Sequence, residues 1–253
     1  MTTPIRLPKG FSLETFDRVG STNDELRRLA EAGAAARLVV MAREQIRGRG
    51  RYGRAWASPP GNLYASVLLR PDRPMAEAAQ LSLVASLALA EALEALAPVG
   101  SELKVKWPND VLLRGGKTAG LLLEGAPPSD GQAAWVIIGS GVNIVSCPRD
   151  TPYPATCLRD AGFANLEPLS VLEAYLRALD EWLARWEGAG FGPIRDTWRA
   201  RSLGLGGEIR LRLKDGDLFG RFVDLSDTGA LLLEQRGGKR REIAAGDVFY
   251  LDG

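Results

Sequence analysis

We predict an α+β fold in which a large domain built on a mixed β-sheet is followed by a small β-barrel of SH3-like size. Short strands joined by glycine turns between residues 102 and 143 favour an antiparallel or mixed sheet over a doubly wound parallel one. Helical patterns flank these strands. After Gly204 the pattern changes to short alternating strands separated by turns. The boundary is therefore placed near residue 203, which gives domains 1–203 and 204–253.

The elements of the larger domain follow from hydrophobic periodicity and from turn residues. Strands are expected at residues 11–19, 38–42, 63–69, 102–107, 111–113, 117–124 and 135–138. Helices are expected at residues 21–33, 76–97, 170–187 and 192–201. Two helix starts have the spacing of a capping box, Thr22 with Glu25 and Ser170 with Glu173. One hydroxyl of Ser21 and Thr22 would then cap its helix, and the other would be free to bind a polar ligand.

The smaller domain is predicted from alternating strands and glycine turns alone. Its strands are expected at residues 209–213, 220–225, 230–234, 239–243 and 248–251. The turns between them are expected at residues 215–216, 227–229 and 237–238.

Composition and charge exclude several classes of function. Lys and Arg total 32 and Asp and Glu total 31 in 253 residues, and a formal net charge of +1 weighs against a dedicated nucleic-acid binder. The chain contains no histidine, which removes a Ser-His-Asp triad, a Cys-His pair and a histidine-ligated zinc. A general base must then be Asp, Glu, Lys, Tyr or a group of the substrate.

The chain shows no sign of secretion or membrane insertion. Its first residues include Pro4, Pro8 and Glu14 and lack the apolar run of a signal peptide. The most apolar segment, 76–97, carries Glu77, Gln80, Glu91 and Glu94, so we expect a buried helix and no membrane partner. With only two cysteines, Cys147 and Cys157, and no disulfide framework, a reducing cytoplasm is the expected location.

The most distinctive segment is the Arg-Gly loop, residues 41–62, which lies between two predicted strands. Glycines let the backbone approach a ligand, and arginines offer planar donors for phosphate or carboxylate oxygens. We therefore expect a loop that closes over a small anion. The alternatives are a solvated basic loop or a segment that contacts nucleic acid without sequence preference.

Two charged residues lie next to predicted strands and can take part in chemistry. Lys117 begins an apolar strand and either faces a site or serves as an exposed edge lysine. Asp110 ends a Pro-Asn-Asp turn, where it can bind Mg²⁺, orient a nucleophile or simply form the turn. The segment 139–141, Gly-Ser-Gly, either admits a ligand to the backbone or forms a β-bulge.

Four motifs in register resemble those of biotin protein ligases, over the chain from about residue 15 to the C-terminus. They are Arg49-Gly50-Arg51 with Gly53-Arg54 and Trp56, Lys106-Trp107-Pro108-Asn109-Asp110, Gly116-Lys117 with Ala119-Gly120, and Gly139 with Gly141 and Asn143. Ser21-Thr22-Asn23 matches the same family. The resemblance implies a catalytic domain related to class II aminoacyl-tRNA synthetases and an SH3-like C-terminal domain. Too few residues precede Ser21 for the DNA-binding module of some members, so a monofunctional enzyme without a DNA partner is expected.

The family's reaction would proceed in two steps. Biotin and ATP, with Mg²⁺, would give biotinyl-5′-AMP, and a lysine of a biotin carboxyl carrier domain would then take the biotinyl group. The resemblance assigns catalysis to Lys117, Arg49, Arg51 and Asp110, with Asp110 as a base or a Mg²⁺ ligand. It assigns biotin binding to Ser21, Thr22, Asn23, Gln45, Gly48, Arg49, Arg51, Trp56, Lys117, Gly120, Leu122 and Gly139. It assigns ATP binding to Arg51, Arg54, Trp56, Trp107, Asn109, Lys117 and Asn143.

Two other functions compete with this interpretation. Lipoate ligases and octanoyltransferases share the fold, but they lack the Arg-Gly loop combined with Lys-Trp-Pro-Asn-Asp. An RNA-binding protein would use the arginines and the small C-terminal domain, against which the near-zero net charge argues. The carrier protein, the choice between monomer and homodimer, and the role of the C-terminal domain stay open at this level.

Overall fold

The computed structural model describes residues 5–126, 134–149, 151, 153–163 and 166–251. The strands are β1 Ser12–Val19, β2 Leu38–Gln45, β3 Leu63–Leu69, β4 Leu103–Lys106, β5 Asp110–Leu113, β6 Gly116–Ala126, β7 Trp135–Val142, β8 Glu208–Leu213, β9 Gly216–Leu225, β10 Leu231–Glu234, β11 Arg240–Ile243 and β12 Asp247–Tyr250. The helices are α1 Thr22–Glu31, α2 Met75–Ala78, α3 Leu81–Ala95, α4 Pro168–Ala189 and α5 Gly192–Arg201, with one 3-10 turn at Arg51–Gly53.

A seven-stranded sheet forms the base of the larger unit. Its strand order is β1-β2-β3-β7-β6-β5-β4, with β1 and β2 parallel and every other neighbour antiparallel. The prediction of a mixed sheet from closely spaced strands is therefore confirmed. The short connections around β4 to β7 leave room only for hairpins, which forces antiparallel pairing.

The two faces of this sheet are covered differently. Helices α3 and α4 pack on one face, where side chains such as Val67, Ile138 and Trp198 are completely buried. Helix α1 covers part of the other face through Leu26, which packs with Leu68. Because α1 is short, it leaves the rest of that face open for a cavity.

The long helix expected at residues 76–97 is divided in the structure. Helix α2 ends at Ala78, and α3 begins at Leu81. Among the described residues, the stretch Met75–Ala95 is apolar and long enough to cross a membrane, yet 72% of its most apolar window lies inside the fold. Its position between the sheet and α4 accounts for that apolar character.

Both predicted capping boxes are wrong. Helix α1 has Ser21 at its N-cap without a side-chain cap, and the Thr22 hydroxyl bonds to Gln45 instead. Helix α4 begins at Pro168, two residues before Ser170, with Glu167 at the N-cap. Proline pre-forms the first helical turn, so this start needs no hydroxyl.

The C-terminal unit is a five-stranded antiparallel sheet of order β11-β10-β9-β8-β12. Its glycine turns lie where the sequence predicts them, with positive φ at Gly216, Gly229, Gly237 and Gly238. The turn before β10 touches the larger unit. There the Nε1 of Trp107 donates to the Gly229 carbonyl at 3.1 Å, and the Nε2 of Gln80 donates to the Asp227 carbonyl at 3.0 Å.

Candidate active site

A cavity of about 640 Å³ opens on the face of the sheet beside α1. It is bounded by the start of α1, the Arg-Gly loop, strands β5 to β7 and the beginning of β12. Every residue that the sequence assigns to catalysis or to binding lines this cavity, and their individual roles stay predictions. They are Ser21, Thr22, Asn23, Gln45, Gly48, Arg49, Arg51, Arg54, Trp56, Trp107, Asn109, Asp110, Lys117, Gly120, Leu122, Gly139 and Asn143.

A buried polar network orients the groups at the start of α1. The Oε1 of Gln45 accepts from the Thr22 backbone at 2.8 Å and from the Thr22 hydroxyl at 3.1 Å. The fully buried Ser66 hydroxyl lies 2.7 Å from Thr22 Oγ1 and 2.6 Å from Asn23 Oδ1. Because each group has a partner on its far side, the amide and hydroxyls are held in fixed directions toward the cavity.

Glycines on adjacent strands form a flat patch on the cavity floor. Gly120 pairs with Gly141, and Leu122 pairs with Gly139, so these four residues share one face of β6 and β7. We call them the glycine floor. The pairing runs through residues 139–141 without a register shift, so the bulge alternative for this segment is wrong.

Side chains occupy the space that the missing Cβ atoms leave. A Cβ on Gly141 would lie 2.6 Å from the Nε1 of Trp56, and a Cβ on Gly139 would overlap the Asn23 amide. A Cβ on Gly120 would lie 3.1 Å from the Cε of Lys117. The glycines therefore allow Trp56, Asn23 and Lys117 to lie directly on the sheet.

A β-bulge directs Lys117 over this floor. The β5–β6 register shifts between Val111 and Leu112, so that Leu112 pairs with Lys117 while Val111 pairs with Ala119. Such an extra residue reverses the side-chain alternation. The Lys117 ammonium lies 2.6 Å from Asp110 Oδ1, and the side chain is 27% exposed. β6 has neighbours on both sides, so the alternative of an exposed edge lysine is wrong.

The indole of Trp56 lies on the glycine floor beside Lys117. The Lys117 ammonium lies 5.4 Å from the centre of its ring. Within the described part of the chain, the buried Nε1 of Trp56 has no hydrogen-bond partner. This N–H can donate a hydrogen bond to an acceptor atom of a ligand in the cavity.

The Arg-Gly loop is held in a compact turn. β2 extends through its first residues to Gln45, and the backbone of Gly50 donates to the Arg54 carbonyl at 2.7 Å. Tyr52 adopts a left-handed conformation with φ of 57°. This conformation reverses the chain at the tip and brings the arginines on either side together.

Arg49 is bound to carboxylates of the larger unit. Its guanidinium donates to both oxygens of Asp24 at 2.7 Å and reaches Glu124 at 3.1 Å. The hydrogen bond from Arg49 lowers the pKa of Asp24, and the same bond raises the pKa of Arg49. Its predicted contact with biotin would require an exchange of these partners.

Three predicted ATP-binding residues also hold the walls of the cavity together. The Asn109 amide donates to the Leu121 carbonyl. The Asn143 amide donates to the Lys117 carbonyl at 3.4 Å and to the Thr156 carbonyl at 3.3 Å. The indole of Trp107 is 2% exposed and is bound to the C-terminal unit. Their contacts with a nucleotide stay predictions.

The sequence interpretation missed four charged or aromatic residues of the cavity wall, namely Arg47, Lys106, Tyr153 and Asp247. The ammonium of Lys106 lies 4.2 Å from the ring centre of Tyr153 and 5.2 Å from that of Tyr250. Burial lowers the pKa of Lys106 and raises the pKa of Tyr153. Lys106 belongs to the Lys-Trp-Pro-Asn-Asp motif, so its place in the motif was the available signal.

The chemistry that this arrangement favours is the joining of two anions. Lys106, Lys117, Arg51 and Arg54 bring positive charge to one end of the cavity, and the glycine floor admits a flat ligand beside it. Fixed cations in a partly enclosed site stabilise negative charge more strongly than water does. The fold and the cavity thus favour an enzyme that activates an acid.

Comparison with known proteins gives the family. Residues 25–200 match the biotin/lipoate A/B protein ligase family, and residues 204–251 match the biotin protein ligase C terminal domain. The chain therefore belongs to the biotin/lipoate A/B protein ligase family.

Its relatives narrow the assignment to biotin ligases. The chain is 41% identical to a biotin–[acetyl-CoA-carboxylase] ligase of Paracoccus denitrificans over 92% of this chain and 98% of the relative. It is 37% identical to the enzyme of that name from Mycobacterium tuberculosis over 94% of this chain and 89% of the relative. The structure of the Aquifex aeolicus biotin protein ligase in complex with biotin and ATP superposes with a TM-score of 0.78 at 31% identity, covering 94% of this chain and 97% of that one.

Proposed function

We propose that this protein is an ATP-dependent ligase that activates biotin as biotinyl-5′-AMP and transfers the biotinyl group to a lysine of a biotin carboxyl carrier domain. The observation that carries the proposal is the position of Lys117. A bulge in β6 places its ammonium over the glycine floor, beside Asp110 and Trp56, in the cavity that all the predicted residues line. A relative with 31% identity has been solved with both biotin and ATP.

In the first step, a carboxylate oxygen of biotin would attack the α-phosphorus of ATP. The new P–O bond forms as the bond to the β-phosphate oxygen breaks, and pyrophosphate leaves. Biotin and the α-phosphate are both negative, so bringing them together requires fixed positive charge. Lys117 is the nearest cation to the glycine floor, and Arg51 and Arg54 lie at the mouth of the cavity.

In the second step, the lysine amine of the carrier would attack the acyl carbon, and AMP would leave with the bonding electrons. The amine must lose a proton, and the chain has no histidine to take it. Asp110 is the carboxylate next to Lys117, and we propose it either as this base or as a metal ligand.

Mg²⁺ fits this site as a companion of the nucleotide. Among the described residues there is no group of three or more Asp, Glu, Cys or His side chains able to hold a metal ion. Mg²⁺ is commonly held by one or two carboxylates together with substrate phosphates, and Asp110 can supply one such oxygen. The metal would neutralise phosphate charge, while Lys117 binds the reacting oxygens.

The finer features of the fold and setting are also proposals. We infer that the catalytic unit, residues 1–203, is related to class II aminoacyl-tRNA synthetases and that residues 204–253 form an SH3-like barrel. The carrier is a carboxylase domain, as the names of the two relatives suggest. We place the enzyme in the cytoplasm, as a monomer or homodimer that does not bind DNA.

The test is to incubate the purified protein with Mg²⁺ and ATP labelled at the α-phosphate, in the presence of either biotin or lipoate. Chromatography should show acid-labile biotinyl-AMP and no lipoyl-AMP, and addition of a carrier domain should release AMP and biotinylate the carrier. Formation of lipoyl-AMP instead would favour the lipoate alternative. Absence of any acyl-AMP, together with salt-sensitive RNA binding, would favour an RNA-binding protein.

A further inference from the structure

Asp247, at the start of β12, brings a carboxylate of the C-terminal unit into the wall of the cavity. Its side chain is 17% exposed, which is low for an aspartate at a strand end. A carboxylate at this depth needs partners, and the partners come from the other unit.

Both partners are arginines of the Arg-Gly loop. The Nη2 of Arg54 lies 2.8 Å from each carboxylate oxygen of Asp247. The Nη1 of Arg51 donates to the Gly246 carbonyl at 2.9 Å and lies 3.7 Å from Asp247 Oδ1. Burial alone would lower the pKa of Arg54, but the hydrogen bond to Asp247 raises it overall.

The carboxylate is anchored because the C-terminal unit is fixed to the sheet. Trp107 and Gln80 bind the turn before β10, and Arg195 lies 2.5 Å from Asp227 in the same turn. On β12 itself, the Tyr250 hydroxyl donates to the Leu203 carbonyl at 2.9 Å. Asp247 is therefore a fixed point to which the loop is attached.

We propose that Asp247 is a positioning residue that holds the Arg-Gly loop closed over the cavity and keeps Arg51 and Arg54 at its mouth. The C-terminal unit thereby takes part in retaining the acyl-adenylate, a role that rests on the proposed function. Asp247 acts through the arginines. The Nη2 of Arg54 donates to both of its oxygens while the Nε of the same guanidinium donates to the Arg51 carbonyl at 3.3 Å, and these two directions together fix the guanidinium plane.

The first test uses the free protein and needs no ligand. Beyond the end of β2, the loop contains the trypsin sites Arg47, Arg49, Arg51 and Arg54. We expect Asp247→Asn to raise the rate of tryptic cleavage within the loop roughly ten-fold, equivalent to about 1.4 kcal/mol of loop opening. Mass spectrometry of the fragments would separate loop cleavage from cleavage elsewhere, which general destabilisation would also increase.

A double-mutant cycle isolates the contact. Because Arg54→Gln also removes one trypsin site, cleavage is compared in every variant at Arg47, Arg49 and Arg51 only. At these sites Arg54→Gln should raise cleavage as Asp247→Asn does, and the double variant should be cleaved no faster than the more sensitive single variant. The matched control is Glu234→Gln, which removes a carboxylate on β10 of the same sheet, where it pairs with Arg221 and Arg240 outside the cavity. It should leave loop cleavage unchanged.

The second test concerns retention of the intermediate. Enzyme loaded with biotinyl-AMP should release it about ten times faster in Asp247→Asn, with a higher KM for ATP, while the Glu234→Gln control keeps the wild-type rate. Loop cleavage of Asp247→Asn at the wild-type rate, or strictly additive effects in the cycle, would overturn the proposal. If the cycle supports the contact while wild-type protein makes no biotinyl-AMP, the proposed function fails and the loop contact stands.

Discussion

Lys117 owes its place over the cavity to one irregular residue in β6. Without the register shift opposite Val111 and Leu112, alternation along the strand would turn the ammonium away from Gly120. The backbone on either side is fixed, since the Lys117 amide donates to the Pro154 carbonyl at 2.8 Å and its carbonyl accepts from Thr156 at 3.0 Å. The cation is therefore directed by the main chain.

We predict that Lys117→Ala lowers the rate of biotinyl-AMP formation by roughly 10²–10³-fold or more, because it removes the cation nearest to the reacting oxygens. The circular dichroism spectrum and melting temperature should stay close to those of the wild type. The matched control is Lys104→Ala, a lysine of β4 in the same sheet that does not line the cavity. Near-normal activity of the Lys117 variant would refute the assigned role.

Lys106 is the most buried cation of the cavity wall. Asp110, Asp247 and Lys117 are the charged groups that act on it, and the rings of Tyr153 and Tyr250 lie next to it. Burial lowers its pKa, whereas nucleotide phosphates nearby would raise the pKa again. Proton binding and nucleotide binding should therefore be linked.

The sign of this linkage gives a pH prediction. In the free protein, Lys106 is charged below its lowered pKa, so the affinity for ATP should have its full value there. The affinity should fall as the pH rises from the pKa of Lys106 in the free protein toward its higher pKa in the complex with ATP. Titration calorimetry from about pH 7 to about pH 10 would measure this loss, together with proton uptake on binding. Lys106→Arg keeps its charge over this range and should lose the dependence. An equal slope in both proteins would contradict the prediction.

At the scale of elements, the glycine floor explains why β6 and β7 carry glycines where central strands usually carry branched residues. A methyl group on Gly141 would lie 2.6 Å from the Nε1 of Trp56, so the indole would have to move. The strand pairing itself does not need these glycines, since Gly120, Gly139 and Gly141 do not have positive φ. Their role is to admit side chains and ligand to the sheet.

We predict that Gly141→Ala weakens biotin binding by roughly ten-fold or more, because overpacking of this kind commonly costs about 1–3 kcal/mol. Titration calorimetry with biotin measures the effect directly. The control is Gly188→Ala in α4, where an added methyl meets open space and should leave biotin binding unchanged. Unchanged affinity in the Gly141 variant would mean that the ligand does not use this part of the floor.

The strands and hairpins could be predicted from the sequence where glycine turns separate them. The five strands of the C-terminal sheet and the hairpin of β5 and β6 follow from Gly turns with positive φ. Helix starts were less predictable, because the hydroxyl of Thr22 bonds across the fold to Gln45 and not to its own helix. A local pattern cannot reveal a partner 23 residues away.

In the candidate site, too, some features could be predicted from the sequence and others could not. The residues taken from the motifs lie around one cavity, but Tyr153 and Asp247 belong to no motif and could not be named. The contacts between units could not be named, because the pairing of Asp247 with Arg54 joins residues 193 positions apart. The sequence also gave no sign that the bulge would lie at Thr118 and not in the Gly-Ser-Gly segment.

At the scale of the whole molecule, the C-terminal unit is packed against the larger one through the turn that contains Gly229. This glycine has a φ of 84°, and a Cβ there would lie 2.9 Å from the Cδ1 of Leu83 in α3. On the same sheet, Gly237 has a φ of 88° and open space around it. The two positions have the same backbone requirement but differ in their contact with the larger unit.

We predict that Gly237→Ala lowers the free energy of unfolding by roughly 1–2 kcal/mol, the cost of a left-handed conformation for alanine. Gly229→Ala should cost more and should also raise the KM for ATP, because it displaces the unit that carries Asp247. Thermal denaturation and steady-state kinetics of the two variants measure both effects. Identical behaviour of the pair would show that this contact does not support the cavity.

The central claim is that Lys117, aimed by the bulge in β6, joins the biotin carboxylate and the nucleotide phosphate. The most direct measurement is a crystal structure of the protein with biotinyl-5′-AMP in the cavity. The account predicts that the Lys117 ammonium lies about 2.7–3.2 Å from oxygens of both the acyl and the phosphate groups. Its ion pair with Asp110 would be either broken or kept alongside these new contacts. An ammonium still directed away from a bound ligand, with neither group in reach, would contradict it.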